Sequence, residues 1–382
     1  MFTKLRSITS LAVAAALLAA CGSKPAEPAK TDAAAGGVDT DAEKVLNVYN
    51  WSDYIEPSVI QDFEKDTGIK VNYEVMDSNE LLETKLLAGR TGYDVVVPSA
   101  SFLARQVKAN IYQKLDKSKL PNLKNMDPDI TKRLEVFDPG NQYAVNYMWG
   151  TDGVGYNEAK IKEAMPNAPV DSYAMFFDPN VAKNFQKCGI SILDAPSEVV
   201  GAVLIYLGRD ANSEKPEDLK AAEKVLMSVR PYVRLINSSK YIEDLANGEI
   251  CLALGWSGDV LQASNRATEA GKGISIKYNI PKEGSVMFFD SFAIPADAAH
   301  VKNAHLFIDY MSRADVAAKN SNFLSYANSN AASWADVKPE IKNNPNIFPT
   351  PQMMSKLVTD LPESAEFTRE LTRTWTRFRT GK

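Results

Sequence analysis

The fold is decided by residues 45–97, VLNVYNWSDYIEPSVIQDFEKDTGIKVNYEVMDSNELLETKLLAGRTGYDVVV. The alternating apolar residues at 45–49 predict a strand, and the pattern that starts at Pro57 predicts a helix that ends at Gly68. The same order of patterns then repeats, giving a second strand, a second helix and a third strand that ends at Val97. Strand, helix, strand, helix, strand predicts an α/β fold with a parallel sheet and right-handed crossovers.

Two long extended runs divide the rest of the chain. Residues 143–157 read as one extended segment that leaves the first lobe, and residues 274–294 provide two further runs that cross back. Two crossings predict a two-strand hinge and a cleft between two lobes, which is where ligands bind in such folds. The predicted division places 45–148 and 276–312 in lobe 1, and 149–275 and 313–382 in lobe 2, with the C-terminal segment partly returning to lobe 1.

Length and composition set the broad class. The chain has 382 residues, of which 45% are apolar, so it can bury two cores. Its formal net charge is -5. A mildly acidic protein without clustered basic residues lacks what nucleic-acid binding requires.

The N-terminus predicts export. Residues 1–20 combine basic residues, an apolar stretch at 11–20 and small residues at its end, which is typical of a signal peptide and too short to span a bilayer. The sequence LAAC at 18–21 resembles a lipobox, so Cys21 is the expected lipidated residue; the alternative is a plain signal peptide with an incidental cysteine. Residues 21–44 are poor in large apolar residues and predict a flexible tether. The expected location is extracytoplasmic, periplasmic in a cell with two membranes, with a lipid anchor in a membrane.

Two cysteines, Cys188 and Cys251, remain after Cys21. An even number outside the cytoplasm favours a disulfide, although two buried thiols stay open as the alternative. The two histidines, His300 and His305, lie on one late segment, so the sequence offers few ligands for a zinc site. No metal or cofactor is expected.

Three short motifs join aromatic residues to a carboxylate near the ends of predicted strands: WSDY at 51–54, WSGD at 256–259 and FFD at 288–290. An alkyl diammonium ion needs this combination, because carboxylates must meet its charged ends as they leave water and flat apolar rings suit its methylene chain. Aromatic faces also attract ammonium groups, by roughly 0.5–2 kcal/mol each. One such motif alone is more often core packing beside a helix cap, but three at equivalent places favour a cation site.

The sequence gives little support for an enzyme. The sequence has no Gly-rich phosphate loop and no G-x-S-x-G elbow. Paired carboxylates could serve a glycosidase, which would need one carboxyl with a raised pKa and a neutral saccharide as its ligand. This remains the alternative from another functional class.

Longer strings carry a resemblance to a known family. They are YNWSDYI at 49–55, VPSASF at 97–102, LDAPSE at 193–198, SSKYI at 238–242, GWSGDV at 255–260 and FFD at 288–290. Together they resemble the bacterial putrescine-binding proteins of polyamine ABC transporters, and the likeness runs from about Val45 to the C-terminus.

The resemblance implies a type II periplasmic-binding-protein fold, a monomer whose two lobes close on a polyamine, delivery to a membrane permease, and no catalysis. It also implies that Cys188 and Cys251 are bonded to each other. Carried over position by position, it implies that the ligand is lined by Trp51, Ser52, Asp53, Tyr54, Ser99, Glu198, Ser238, Trp256, Asp259, Phe288, Asp290 and Tyr326. Of these, Ser99, Glu198, Ser238 and Tyr326 come from the resemblance alone.

Two features depart from the resemblance. The lipobox and tether are not part of the soluble periplasmic proteins of this kind. Asp360 lies where the putrescine type carries an apolar residue, and an extra carboxylate there suits a further amine. Ser101, Ala195 and Phe288 match the putrescine type. The sequence therefore ranks putrescine first and spermidine a close second.

Overall fold

The structure is a computed structural model that describes residues Asp39–Lys382. The predicted signal peptide, Cys21 and the first part of the tether lie outside these residues. The strands are β1 (Val45–Trp51), β2 (Lys70–Met76), β3 (Val95–Val96), β4 (Ala144–Asn157), β5 (Ile190–Ile192), β6 (Val233–Ile236), β7 (Leu252–Trp256), β8 (Ile276–Asn279), β9 (Ser285–Ala293), β10 (Ala327–Asn328) and β11 (Leu357–Thr359). The helices are α1 (Pro57–Thr67), α2 (Asn79–Ala88), α3 (Ala100–Lys108), α4 (Pro128–Leu134), α5 (Glu158–Ala164), α6 (Ala174–Phe177), α7 (Pro179–Ala182), α8 (Pro196–Tyr206), α9 (Pro216–Val229), α10 (Lys240–Asn247), α11 (Ser257–Glu269), α12 (Val301–Met311), α13 (Ala314–Leu324), α14 (Pro339–Lys342), α15 (Pro351–Met354) and α16 (Ala365–Thr380).

The first β-α-β unit forms as its sequence predicts. Pro57 occupies the first turn of α1, where its missing N–H is not needed. Val59 and Phe63 point into the core from one face of the helix. Gly68 ends the helix with a φ of 69°, a left-handed conformation that glycine adopts at no steric cost, and its N–H donates to the Glu64 carbonyl.

The sheet is mixed, with its strands in the order β2-β1-β3-β9-β4-β7-β5-β6. Strands β2, β1 and β3 are parallel, which confirms the parallel pairing predicted for residues 45–97. On the other side, β7, β5 and β6 are also parallel. The two parallel groups are linked through β9 and β4, which run antiparallel to each other.

Strand β4 is the main connection between the lobes. Its residues from Ala144 to Thr151 pair with β9, and those from Asp152 to Tyr156 pair with β7. All fourteen residues of β4 are buried. Strand β8 pairs with the far end of β4 and leads into β9, so the chain returns beside the strand that left. This is the predicted two-strand hinge.

Each lobe has its own apolar core. The first core surrounds β1, β3 and α12, where the ring centroids of Phe63 and Phe307 lie 5.2 Å apart. The second core surrounds β5, β7 and α8 and contains Tyr173 and Phe185. A strand pair and these two cores define a two-lobed α/β fold of the type II periplasmic-binding-protein kind.

The predicted lobe boundaries stay a proposal, with two adjustments that the packing suggests. Strand β8, predicted in lobe 1, pairs with the lobe 2 half of β4, and Ile276 and Tyr278 are buried in the second core. Helix α13, predicted in lobe 2, contributes Val316 and Leu324 to the first core. Sequence patterns define elements well, but the lobe that covers an element's apolar face depends on tertiary packing.

The disulfide between Cys188 and Cys251 is present, with Cα atoms 5.5 Å apart. It joins the segment before β5 to the start of β7 in the second core. The closed loop spans 63 residues, so the bond limits the unfolded chain and contributes about 4 kcal/mol in the entropic account.

The described end of the predicted tether packs against helix α12. The Asp41 carboxylate accepts hydrogen bonds from the backbone N–H groups of Lys302 and Asn303 at 2.9 and 3.0 Å. The Asn303 side chain in turn donates to the carbonyls of Glu43 and Val45. These contacts fix the chain at the start of β1.

Candidate functional site

A cavity of about 410 Å³ lies between the two lobes. Most of its wall is formed by residues that end or follow strands or begin helices, as expected at the carboxyl edge of a sheet, and the hinge strand β9 adds Phe288 and Asp290. The lining residues are Trp51, Ser52, Tyr54, Asp77, Ser99, Glu198, Ser238, Trp256, Asp259, Phe288, Asp290 and Tyr326. Eleven of the twelve residues expected from the sequence therefore meet in one place, and Asp53 lies outside.

Aromatic rings form the apolar walls. Trp51, at the end of β1, donates from its indole Nε1 to the Val97 carbonyl at 3.0 Å, which fixes the ring. Its ring meets that of Trp256 edge to face at 5.7 Å across the cleft. Phe288 on β9 lies 6.3 Å from Trp256 and 6.1 Å from Tyr326, measured between ring centroids.

Asp290 is a buried acid on the hinge strand β9. One carboxylate oxygen accepts the Ser99 hydroxyl at 2.6 Å, and the other accepts the Tyr54 hydroxyl at 2.8 Å. Burial raises the pKa of Asp290 to about 6, while the two hydrogen bonds oppose the rise. The carboxylate is therefore ionised at neutral pH and held in one orientation.

Asp259 lies in the first turn of α11, where the positive end of the helix dipole suits a carboxylate. Its oxygens accept the hydroxyls of Tyr326 at 2.7 Å and Tyr241 at 2.9 Å. Burial raises the pKa of Asp259 to about 7, despite these hydrogen bonds. A cation beside Asp259 would lower this pKa, because it stabilises the ionised form.

Glu198 is the third acid of the cavity and lies in the first turn of α8. Its Oε2 accepts the indole N–H of Trp256 at 2.7 Å, so ring and carboxylate orient each other. Burial and the nearby Asp152 carboxyl raise the pKa of Glu198 well above its usual range.

Asp53 has a different place from the one expected. Its backbone has a φ of 53°, and its Oδ1 accepts from Arg266 Nη2 at 2.5 Å. Asp53 follows β1 in the first lobe, whereas Arg266 lies on α11 in the second. The ion pair therefore bridges the two lobes at the rim of the cleft.

Asp77 is a lining residue that the sequence reasoning missed. It directly follows β2, and its Oδ1 accepts the Ser52 hydroxyl at 3.3 Å. The rule that selected Trp51, a residue at the carboxyl end of a parallel strand, applies equally to Asp77. Asp77 has no adjacent aromatic residue, so the pattern of an aromatic residue beside a carboxylate did not predict it.

A second cavity of about 300 Å³ adjoins the first and shares Trp51, Asp77, Glu198, Ser238 and Trp256 with it. Its wall adds Asp194, Glu80 and Asp360, so five carboxylates line it, and none of its described lining residues is basic. Burial raises the pKa of Asp360 to about 6, and a hydrogen bond from Ser101 opposes the rise. We call this space the outer chamber and the first one the inner cavity.

The described residues, 39–382, offer neither a metal site nor a membrane-spanning helix. They contain no cluster of three or more histidine, cysteine or acidic side chains placed to hold a metal ion. They also include no helix that is both long and apolar enough to cross a bilayer. Cys21 lies outside the described part of the chain.

Two hinged α/β lobes around a buried cavity of acids and aromatic rings define the class of extracytoplasmic solute-binding proteins. The chain belongs to the bacterial extracellular solute-binding protein family, whose model matches residues 58–350.

Similar proteins share most of the chain. The putrescine-binding periplasmic protein SpuD of Pseudomonas aeruginosa is 51% identical over 91% of this chain and 95% of its own length. The putrescine-binding periplasmic protein PotF of Escherichia coli is 50% identical over 89% of this chain and 92% of its own. The solved structure of a putative spermidine/putrescine ABC transporter protein from Listeria monocytogenes superposes with a TM-score of 0.79 at 33% identity, covering 89% of this chain and all of that one.

Proposed function

We propose that this chain is the polyamine-binding component of an ABC importer, that it prefers putrescine, and that it catalyses no reaction. The observation that carries the proposal is the inner cavity, where Asp259, Asp290 and Glu198 surround a space walled by Trp51, Trp256 and Phe288. The names and high identity of SpuD and PotF support the same ligand.

The chemistry of the cavity suits a short dication. Each ammonium group donates three hydrogen bonds and must exchange water for anionic acceptors. Asp259 and Asp290 are each held by two hydroxyl donors, which keeps them in place while their remaining lone pairs face the cavity. The rings between them exclude water along the methylene chain and add cation–π attraction.

Capture by lobe closure follows from where these residues lie. Trp51 and Ser99 belong to the first lobe, and Glu198, Trp256 and Asp259 belong to the second. A ligand that touches both sets binds the closed form more tightly than the open form and so shifts the population toward closure. The permease is then expected to recognise the closed surface.

A thermal-shift panel tests the ligand class. Putrescine, cadaverine, spermidine, spermine, agmatine and neutral sugars are each added to the purified protein. Putrescine is expected to raise Tm most, and sugars are expected to leave it unchanged. A shift with a saccharide and none with any polyamine would replace the proposal with the glycosidase alternative.

A spermidine-preferring binding protein is the second candidate, and the outer chamber favours it. Asp360 puts a half-buried carboxylate in the wall of the outer chamber, which Glu198 and Trp256 also line. A third amine extending from the inner cavity would meet this acid. Spermidine giving a larger Tm shift than putrescine in the same panel would select this candidate.

We also propose that the mature protein is a monomer held at a membrane by lipid on Cys21, with residues 22–38 as a tether. The support is the lipobox at 18–21 and the composition that follows it. In fractionated cells, Cys21→Ser is expected to release the protein from membranes. Retention of the variant in the membrane fraction would contradict the anchor.

A further inference from the structure

The string GWSGDV at 255–260 contains two glycines, Gly255 and Gly258, that are not among the residues lining the inner cavity or the outer chamber. Gly255 lies in β7, and Gly258 lies in the first turn of α11. Neither has the positive φ that favours glycine. Within a strand or a helix, glycine is less favourable than alanine because it loses more conformational freedom on folding. The two glycines therefore require an explanation outside their own backbone.

A buried phenol ring fills the space beside each glycine. A Cβ atom on Gly258 would lie less than 3.0 Å from three carbons of the Tyr326 ring, and one on Gly255 would lie 2.6 Å from Cε2 of Tyr241. Nonbonded carbon atoms prefer separations of about 3.5–4.0 Å. Tyr326 is 1% exposed and Tyr241 is 0% exposed, so neither ring has open space into which it could move. Glycine alone leaves room for these rings.

The two phenols hold the same acid. Tyr326 Oη donates to Asp259 Oδ1 at 2.7 Å, and Tyr241 Oη donates to Asp259 Oδ2 at 2.9 Å. Each hydroxyl also accepts a backbone N–H from the same segment: that of Asp259 meets Tyr326 at 3.3 Å, and that of Trp256 meets Tyr241 at 3.1 Å. Because the backbone N–H groups occupy lone pairs of the hydroxyl oxygens, the hydroxyl protons are directed at the carboxylate.

We infer that Gly255 and Gly258 are positioning residues for Asp259, because the absence of their side chains makes room for the two phenols that orient this carboxylate. The inference deepens the proposed function and rests on it, since it takes Asp259 as a partner of the polyamine. A methyl group at either position would displace one ring and break its hydrogen bond. Asp259 would then keep a single donor and lose its fixed orientation. Both glycines thus contribute to affinity although neither lines the cavity.

Calorimetric titration of putrescine tests the two positions. Gly258→Ala and Gly255→Ala should each weaken binding by roughly tenfold, the effect of losing one hydrogen bond to a charged group. Gly189→Ala is the matched control, because its Cβ would lie 2.5 Å from Nη1 of Arg234 and its φ is 101°. Gly189 precedes β5 in the second lobe, whereas the cavity lies at the carboxyl ends of the strands. This control should lower Tm yet bind putrescine within about threefold of the wild type. An equal loss of affinity in the control would overturn the inference.

A double-mutant cycle separates the role of the ring from an effect on helix α11. Tyr326→Ala removes the ring that the new methyl group would meet, so adding Gly258→Ala to it should change affinity by less than about threefold. The pair Tyr241→Ala and Gly255→Ala should behave in the same way. A loss that is as large without the ring as with it would overturn the inference. If Gly258→Ala alone fails to fold, a folded double variant supports the inference, and a double variant that also fails to fold overturns it.

A crystal structure of unliganded Gly258→Ala provides a readout that does not depend on polyamine binding. We expect the Tyr326 ring to be displaced and its hydroxyl to lie out of hydrogen-bond distance from Asp259. A Tyr326 ring that keeps its place and its hydrogen bond to Asp259 would overturn the inference. A displaced ring, combined with a wild-type protein that binds no polyamine, would overturn the proposed function and leave the role of the glycines standing.

Discussion

The inner cavity and the outer chamber are built from the same residue types in different ways. In the inner cavity, Asp259 and Asp290 each accept two hydroxyl hydrogen bonds, so their positions are fixed before a ligand arrives. Three of the five acids that line the outer chamber are less enclosed, because Asp77 and Glu80 are exposed and Asp360 is half-buried. Preorganised acids give affinity, since no reorganisation is needed on binding. Acids that are held less firmly attract longer amines without fixing the position of the amine. We therefore assign affinity to the inner cavity and discrimination by ligand length to the outer chamber.

The largest expected effect concerns pH and the inner acids. Burial raises the pKa of Asp259 to about 7 and that of Asp290 to about 6. A bound ammonium ion lowers both values, so any molecule in which one of these acids is protonated must release that proton on binding. Affinity is therefore full above these values and falls as pH drops through them. Between pH 7.5 and 5.5 the loss should be roughly a hundredfold for both acids together. Calorimetric titration of putrescine across this range measures it.

The stability of the unliganded protein should respond to the same protons with the opposite sign. Acids whose pKa is raised by folding bind more protons when folded than when unfolded, so acidification through this window adds stability from these groups. The Tm gain caused by putrescine should shrink while the protein stays folded. An affinity that stays constant from pH 7.5 to 5.5 would remove both acids from the account.

Replacement of one inner acid should have the next largest effect. Asp259→Asn leaves an ammonium ion without its charged partner in a buried site, so putrescine affinity should fall at least tenfold. Asp244→Asn, a buried acid of the same lobe that pairs with Lys240, is the matched control and should bind normally. Equal affinities for Asp259→Asn and wild type, in a calorimetric titration, would exclude Asp259 from the site.

The sequence predicted the walls of the inner cavity better than its rim. Trp51 and Trp256 could be placed because the carboxyl ends of strands meet at one edge of a sheet. Phe288 was expected near the second crossover, and it lies within the hinge strand β9. The direction of Asp53 depends on a left-handed turn with a φ of 53°, and nothing in WSDY signals that turn.

The outer chamber should affect long amines selectively. Asp360→Leu removes a carboxylate from its wall and should weaken spermidine about tenfold while changing putrescine affinity by less than about threefold. Parallel titrations with both amines give the ratio. A uniform loss for both ligands would mean that the two spaces act as one site.

The smallest expected effect belongs to the rim. Asp53 and Arg266 are each more than one-third exposed, so their bridge is worth about 0–1 kcal/mol. Asp53→Asn should weaken putrescine about threefold, mainly through faster release, because the bridge forms when the lobes close. Stopped-flow rates distinguish this effect from a direct contact, and an unchanged dissociation rate would argue against a role in closure.

A crystal structure of the protein with putrescine tests the central claim most directly. The account predicts closed lobes, ammonium nitrogens within hydrogen-bond distance of Asp259 and of Asp290 or Glu198, and methylene groups between Trp51, Trp256 and Phe288. Putrescine bound elsewhere, or an inner cavity left empty at saturating ligand, would contradict it.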